Sequence, residues 1–516
     1  MRSKNSFVNI LVSCFSYVFL MLNSFLTRAV FSRQLGLSIA GIEGMFLNVV
    51  SMLGIVEMGI GTGIVYKLYK PIAEKNYSQI AVLLKFYKKA YSIIASVVLG
   101  CGFVAAFIVP FLVTEDYSKP WLGAMFMMYV FDVLASYLFA HKRAMFIADQ
   151  KNYVNTLAHT GGQLVSCILQ VTSLTLFHSY FLYLIIKVTC TALENVFIAL
   201  WYRKHYPHID LKTTVEMDER ERKGLFKNIK ALLFHKIGGF SLNSTSSMII
   251  INGAGSLASG LYSNYMMIVN GLFRISDQVF TGIIASFGNL MNTTSTEKSY
   301  KNFKSLYFMN YLIYSFFTVS FFTLATPFVR LWIGENGVFP LDTLALLTLY
   351  FYIMGMRQSV QMVRTSAGIY RPDQYLPLVE AAINVIMGII LVKPFGVNGV
   401  LMANLIEMFI IPFWTHPYII YKNVFFQSVK TYYQRYVLYA GITFGSLLAT
   451  QGLCSLLPAM GRFVTLVVYA VICLLVPNVI NLALFYRTDE FQYLFRTTTG
   501  LLSQFKEALK KRKQSA

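Results

Sequence analysis

Apolar stretches about twenty residues long, separated by short polar segments, run from one end of the chain to the other. A helix needs roughly 20 predominantly apolar residues to cross the hydrocarbon of a bilayer, and on that criterion the chain holds about fourteen spans. Their limits lie near 8–31, 42–65, 90–113, 120–140, 153–176, 180–201, 233–254, 261–289, 307–329, 341–363, 375–393, 397–421, 435–456 and 463–486. The first run, from about Phe7 to Phe31, is too long for the apolar core of a signal peptide and lacks a small-residue cleavage site, so it is expected to persist as a helix. The predicted fold is therefore all-α, a polytopic membrane protein of about fourteen transmembrane helices.

The polar segments carry the orientation. With the N-terminus in the cytoplasm, the inner segments collect about 35 of the 44 Lys and Arg, while the outer ones hold Arg33, Lys119, Arg330, Lys393 and Arg462. The positive-inside rule then places both termini in the cytoplasm. The outer loops are about ten residues or fewer, too short for an extracytoplasmic catalytic domain. Between Tyr77 and Tyr91 the apolar positions Ile80, Leu83, Leu84 and Tyr87 recur at helical spacing, with Lys85, Lys88 and Lys89 on other faces. That pattern predicts a helix lying on the inner leaflet. The longest inner loop carries DERERKG followed by Phe226, Ile229 and Leu233, and should run as an amphipathic helix into the seventh span. The tail KEALKKRKQ is a basic cluster that anionic lipid would attract.

Composition narrows the class further. Of 516 residues, 56% are hydrophobic and 13% charged, outside the range of soluble domains. The net charge of +21 sits in clusters between spans, where topology accounts for it, and no nucleic-acid partner is expected. Cys14, Cys101, Cys167, Cys190, Cys454 and Cys473 fall within spans and form no CxxC pair, which argues against disulfides and a zinc site. The 16% of aromatic residues, with many Tyr near span ends, fits interfacial belts.

The two halves echo one another. Gly36, Gly41 and Gly63 are each followed 219 residues later by Gly255, Gly260 and Gly282. Phe146, Asp149 and Gln150 are answered by Tyr370, Asp373 and Gln374, 224 residues later. Duplication of a six-helix unit with two helices appended follows. An even number of spans per unit keeps both copies in the same orientation, so two pseudo-symmetric six-helix lobes should face one another across a central cavity. The expected divisions are 1–201 for the first lobe, 202–232 for the connecting loop, 233–421 for the second lobe, 422–490 for the last two helices and 491–516 for the tail.

Four cations, Arg28, Lys187, Arg274 and Arg357, lie inside otherwise apolar spans. A charge in hydrocarbon costs from about 3 to over 10 kcal/mol, so it normally faces water or a partner. Several in one bundle suggest a cavity for an anion; a salt bridge that staples two helices, or snorkelling to the headgroups, is the plainer alternative for each. Arg274 lies near mid-span with Asp277 on the same helix face, where the two can partly compensate. Lys187 and Glu194 also share a face, two turns apart, and Arg357 stands beside Gln358 and Gln361. The acids Glu57, Asp132, Glu194, Asp277, Glu380 and Glu407 are candidates for charge pairing or for H+ or Na+ coupling; Pro412 should break the helix after Glu407. No cofactor is expected. The chain has no GxxxxGK[ST], HExxH or GxSxG motif, and its histidines show no metal-ligand spacing.

The stretches RQLGLSIAGIEGMFLNVVSMLGIVEMGIGTGIVYKLYKPIA, FKNIKALLFHKIGGFSLNSTSSMIIINGAGSLASGLYSNYMMIVNGL and AGIYRPDQY resemble the Wzx-type polysaccharide flippases of the multidrug/oligosaccharidyl-lipid/polysaccharide exporter superfamily. The resemblance implies translocation of an undecaprenyl-diphosphate-linked oligosaccharide across a bacterial plasma membrane by alternating access of two six-helix lobes, for capsule or exopolysaccharide synthesis. It also implies contact with membrane lipids and with polysaccharide assembly proteins. Basic residues on the first and eighth helices of such flippases are thought to hold the diphosphate, and Arg28 and Arg274 occupy those helices here. Lys187 and Arg357 would contribute further. One departure is the seventh span, where an Asp in an STDN-like run is expected of relatives and this chain has Ser246 and Ser247. A multidrug exporter of the same superfamily, a peptidoglycan-precursor flippase and a membrane glycan polymerase are the alternatives. The first would favour a cavity of acids and aromatics; the last needs an outward domain or a DxD-like site, and neither is seen.

Overall fold

The computed structural model describes residues 2–57, 60–211, 219–369, 375–497 and 499–500, without side chains for part of these. The described residues are helical throughout, with no strand. The helices are α1 (Arg2–Leu35), α2 (Leu37–Leu53), α3 (Ile60–Ala73), α4 (Tyr77–Ile108), α5 (Lys119–Tyr137), α6 (Ala140–Ala148), α7 (Tyr153–Phe177) and α8 (Tyr180–His205). They continue with α9 (Glu219–Thr293), α10 (Thr296–Trp332), α11 (Leu341–Met356), α12 (Gln358–Ala367), α13 (Leu376–Ile410), α14 (Pro412–Ile420), α15 (Lys430–Ser455) and α16 (Arg462–Phe485). The polytopic all-α membrane fold read from the hydropathy pattern is the fold of the protein.

Eight helices are long and apolar enough to cross a membrane, and the pair α5 and α6, bent by 47°, makes a ninth among the described residues. The remaining expected spans lie where helices break or merge. The second expected span is α2, a 3-10 turn at Gly54–Glu57, then α3. The tenth is α11 and α12, separated at Arg357. Seventh and eighth run together as α9, turned at Gly255, and eleventh and twelfth as α13, turned at Gly396. The helix after Glu407 does end before Pro412, whose ring cannot continue it. One expectation fails: the amphipathic run from Tyr77 is no separate surface helix but the first half of the 32-residue α4, with Ile80, Leu83, Leu84 and Tyr87 buried against neighbouring helices. Periodicity alone cannot tell a helix packed on protein from one packed on lipid.

Packing divides the chain into two compact units, one of residues 1–263 with 385–400, the other of 264–384 with 401–516. In the first, α1 packs along α7, α7 on α8, and α5 on α4 and α8. Phe31, Phe46, Phe126, Tyr129, Tyr180 and Tyr183 form much of one core, and Tyr87, Tyr91, Tyr137, Phe146 and Tyr202 lie in another. In the second unit α10 is the hub, contacting α11, α15 and α16. Its tyrosines carry the packing: Tyr311 stacks on Tyr439 with ring centroids 4.1 Å apart, Tyr307 on Tyr432 at 4.8 Å, and the Tyr311 hydroxyl donates to Asn481. Tyr129, Tyr265, Tyr307, Tyr311, Tyr314, Tyr421 and Tyr432 are fully buried, so the aromatic content serves the cores as well as the membrane interface.

The glycine repeat has a conformational counterpart. Gly36 turns the chain between α1 and α2 at φ 90°, ψ 162°, and Gly255 turns α9 at φ 89°, ψ 168°. Both values lie in a region that a Cβ forbids. The second limb of α9 begins at Ser256, whose amide donates to the Glu115 carboxylate from the loop before α5. That carboxylate meets the positive end of the helix dipole. The side chains of the DERERKG segment with Phe226, Ile229 and Leu233, the residues Tyr370, Asp373 and Gln374, the side-chain surroundings of Gly282, and the basic tail lie outside the described residues.

Candidate functional site

Arg28, on the outer part of α1 as the sequence orients it, is held on three sides. Its Nη1 donates to Glu43 Oε2 of α2 at 2.7 Å, and its Nη2 donates to the Ala40 carbonyl at 3.0 Å and to Ser263 Oγ at 2.5 Å. Glu43 is itself buried and accepts further from the Tyr129 hydroxyl at 3.0 Å and from Tyr183 at 3.4 Å, while Tyr129 and Tyr180 share a hydrogen bond of 3.0 Å. The Arg28 side chain is 11% exposed. Removal of either charge would strand the other, which typically costs about 3 to 5 kcal/mol. Sequence reasoning left Glu43 out of the acidic set because it stands at the edge of a span; its distance of 15 residues from Arg28 gave no sign that a tight glycine turn folds α2 back onto α1.

The pairing expected along α8 is replaced by pairing across helices. Lys187 reaches Asp132 of α5, Nζ to Oδ2 at 3.7 Å, with its ammonium 4.6 Å from the Tyr129 ring centroid. Thr191 donates to the other Asp132 oxygen at 2.6 Å. Glu194 turns to Arg143 of α6 at 2.5 Å and His159 of α7 at 3.2 Å. Arg143 also donates to Asn195 at 3.0 Å. Arg143 lies outside the expected spans, yet its guanidinium pairs with a carboxylate that is 5% exposed, and His159 hydrogen-bonds to the same carboxylate. Glu57 ends the 3-10 turn after α2 and accepts from the Tyr91 hydroxyl at 2.7 Å, with Tyr87 and Tyr137 within electrostatic reach.

In the second unit Arg274 is exposed on α9, and no carboxylate among the described residues pairs with it. Asp277, expected to compensate it from one turn away, instead accepts from Gln358 Nε2 of α12. Arg357, at the break between α11 and α12, has a different setting. Its Nη2 meets His416 Nδ1 at 3.1 Å, and Gln361 Nε2 meets the same nitrogen at 3.1 Å. Two donors on one ring nitrogen make Nδ1 the acceptor. Glu380 and Glu407, both buried, lie within electrostatic reach of Arg357, and Asn384 donates to Asn404 at 2.6 Å between the two limbs of α13. His416 was not singled out in the sequence, since a lone His carries no signal until its neighbours are known.

Among the described residues no three His, Cys, Asp or Glu gather as a metal site. The five described cysteines are free.

These helices and their breaks define a polytopic, all-helical membrane fold. The structure of the lipid II flippase MurJ in an inward closed conformation is similar over 92% of this chain and 98% of its own, at 12% identity and a TM-score of 0.65. An inward-facing multidrug resistance MATE family transporter of the MOP superfamily matches over 76% of this chain and 92% of its own, at 13% identity and a TM-score of 0.57. A MATE transporter of Vibrio cholerae in the bent form matches over 82% and 98%, at 12% identity and a TM-score of 0.51. At these identities the likeness is one of fold. No protein-family model and no curated protein sequence matches the chain.

Proposed function

We propose that the protein is a flippase that carries an undecaprenyl-diphosphate-linked oligosaccharide across the bacterial plasma membrane for surface polysaccharide synthesis. The observation that carries this reading is Arg274: a guanidinium on a helix of a membrane transporter fold, exposed, with its helix neighbour Asp277 already engaged by Gln358. A fixed cation with open donors suits an anionic cargo, and a guanidinium suits the oxygens of a diphosphate. Arg28, in the first unit, is a further candidate for diphosphate contact, by exchange of its bond to Glu43 for one to phosphate. Lys187 and Arg357 are further candidates of the same sign, each now held by a partner in its own unit.

The six-helix lobes would alternate in access around a cavity while the prenyl chain stays in lipid, with both chain termini in the cytoplasm. Protonation or Na+ binding at Asp277 or Glu57 would bias the two states, as would the membrane potential at about 2.3 kcal/mol per charge per 100 mV. Asp132, Glu194 and Glu407 would act as charge partners. A lipid II flippase is the second reading, favoured by the extent of the fold shared with MurJ, 98% of whose chain is covered. Both readings take a polyprenyl diphosphate and differ in the glycan.

Deletion of the gene with analysis of lipid-linked intermediates tests the proposal. Accumulation of a complete repeat unit on the cytoplasmic face is expected. Truncated units would point to an enzyme, and accumulated lipid II would select the second reading.

A further inference from the structure

Lys142 is the one lysine among the described residues that is buried, 7% exposed, and it has no carboxylate partner there. The next two cations after it in sequence are neutralised, Arg143 by Glu194 and Lys151 by Asp149. Lys142 instead points its ammonium at two rings, 4.6 Å from the centroid of Phe139 and 5.8 Å from that of Tyr202. Two charges of its own sign, Arg203 on α8 and Lys88 on α4, lie within electrostatic reach of it, and the buried His141 beside it is within reach of Lys142 and Lys88. Three helices thus bring three cations together.

Such a cluster is not stable by itself. Burying an ammonium is costly even after relaxation, the two rings offset part of that cost, and Lys88 and Arg203 add repulsion. An anion among them would attract all three cations and offset their mutual repulsion. The helices that supply the cations also expose apolar side chains next to them: Leu138 just before α6, Ile147 on α6, and Leu200 and Trp201 on α8. In a membrane protein such side chains meet acyl chains, so an anion arriving here arrives on a lipid.

We infer that Lys142, Lys88 and Arg203 form a binding site for the phosphate of a lipid headgroup, with the Phe139 and Tyr202 rings holding the Lys142 ammonium in place. Lys142 is the fixed inner contact; Lys88 and Arg203, both exposed, close over the outer phosphate oxygens. The site shares no residue with the cations proposed to hold cargo and does not depend on the flippase reading. The phosphate comes either from an anionic phospholipid of the surrounding leaflet or from the diphosphate of a polyprenyl lipid.

The full-length protein, purified in detergent, would be titrated with phosphatidylglycerol, phosphatidylcholine and a polyprenyl diphosphate, with bound lipid counted by native mass spectrometry. Retention of phosphatidylglycerol over phosphatidylcholine is expected, weakened about tenfold or more by Lys88→Gln with Arg203→Gln. Those two side chains are exposed, so the double variant should fold. Lys142→Gln should lose the selectivity and Lys142→Arg should keep it. Displacement of phosphatidylglycerol by the polyprenyl diphosphate would identify the diphosphate as the occupant; no displacement would identify the phospholipid. Equal retention of phosphatidylcholine and phosphatidylglycerol, or unchanged retention by the folded double variant, overturns the site.

Discussion

Gly41 of α2 and Gly260 of α9 meet backbone to backbone: a Cβ on Gly41 would collide with the Ser256 carbonyl, and one on Gly260 with the Leu37 carbonyl. The four residues form two pairs 219 apart in sequence, Leu37 with Ser256 and Gly41 with Gly260. The contact is therefore self-complementary, as a two-fold related contact must be. Gly44 and Ser263, also 219 apart, continue it: a Cβ on Gly44 would stand 3.0 Å from that of Ser263. Ser263 in turn accepts from Arg28, so the helix crossing and the Arg28 cluster are one structure.

Gly41→Ala and Gly260→Ala should each destabilise by about 1 to 3 kcal/mol or more, since the clash is with backbone that cannot turn aside. Gly100→Ala, where the added methyl meets nothing, is the control. Thermal unfolding followed by size-exclusion chromatography measures the difference. Equal stability of Gly260→Ala and Gly100→Ala would contradict the contact.

Glu43→Gln leaves Arg28 without its counter-charge and should cost about 3 to 5 kcal/mol. Replacing both by methionine removes the stranded charge and should recover much of that stability. If Arg28 also holds cargo, the double variant will be stable yet unable to support glycan export. Export at the wild-type level by the double variant would confine Arg28 to a structural role.

Arg274→Ala should behave oppositely. An exposed side chain without an ion-pair partner contributes within about 0.5 kcal/mol to stability, so the variant should insert and melt like the wild type while glycan export is abolished. Complementation of a deletion strain by this variant would remove Arg274 from the proposed site.

Glu115→Gln keeps the shape of the cap on the second limb of α9 and removes its charge, for an expected loss of about 1 kcal/mol. The loss should shrink at high salt only slightly if the contact is partly buried, and Glu115→Ala should cost more because the Ser256 amide then has no acceptor. Thermal melts of the three proteins at two ionic strengths would order them.

Glu490, beyond α16, makes a 2.8 Å bond to Arg435 Nη2. Burial works to raise its pKa, but the hydrogen bond and charge of Arg435 outweigh it and hold the carboxyl below its ordinary value. A carboxyl depressed in the folded state stabilises above its unfolded pKa of about 4.5 and loses that stabilisation as pH falls through the folded value. Wild type should therefore lose stability relative to Glu490→Gln between about pH 5 and more acidic conditions. Parallel pH profiles for the two proteins would contradict the pair.

The sequence by itself determined the class and most of the helices, because twenty apolar residues in a row have one stable outcome in a bilayer. It also pointed to a repeat, and of its glycine pairs Gly36 and Gly255 both turn the chain at φ near 90°. Arg274 was legible for the same reason: a charge at mid-span stands out against apolar neighbours. What it could not determine was who pairs with whom. Glu43, Arg143, His159 and His416 find their partners on other helices, and Asp277 passes over Arg274 for Gln358. Pairing of charges depends on distances of 2.5 to 3.7 Å between elements, which the folding of one helix against another sets. Hydropathy reports how much a residue dislikes lipid; only the tertiary structure decides whether it meets a partner instead.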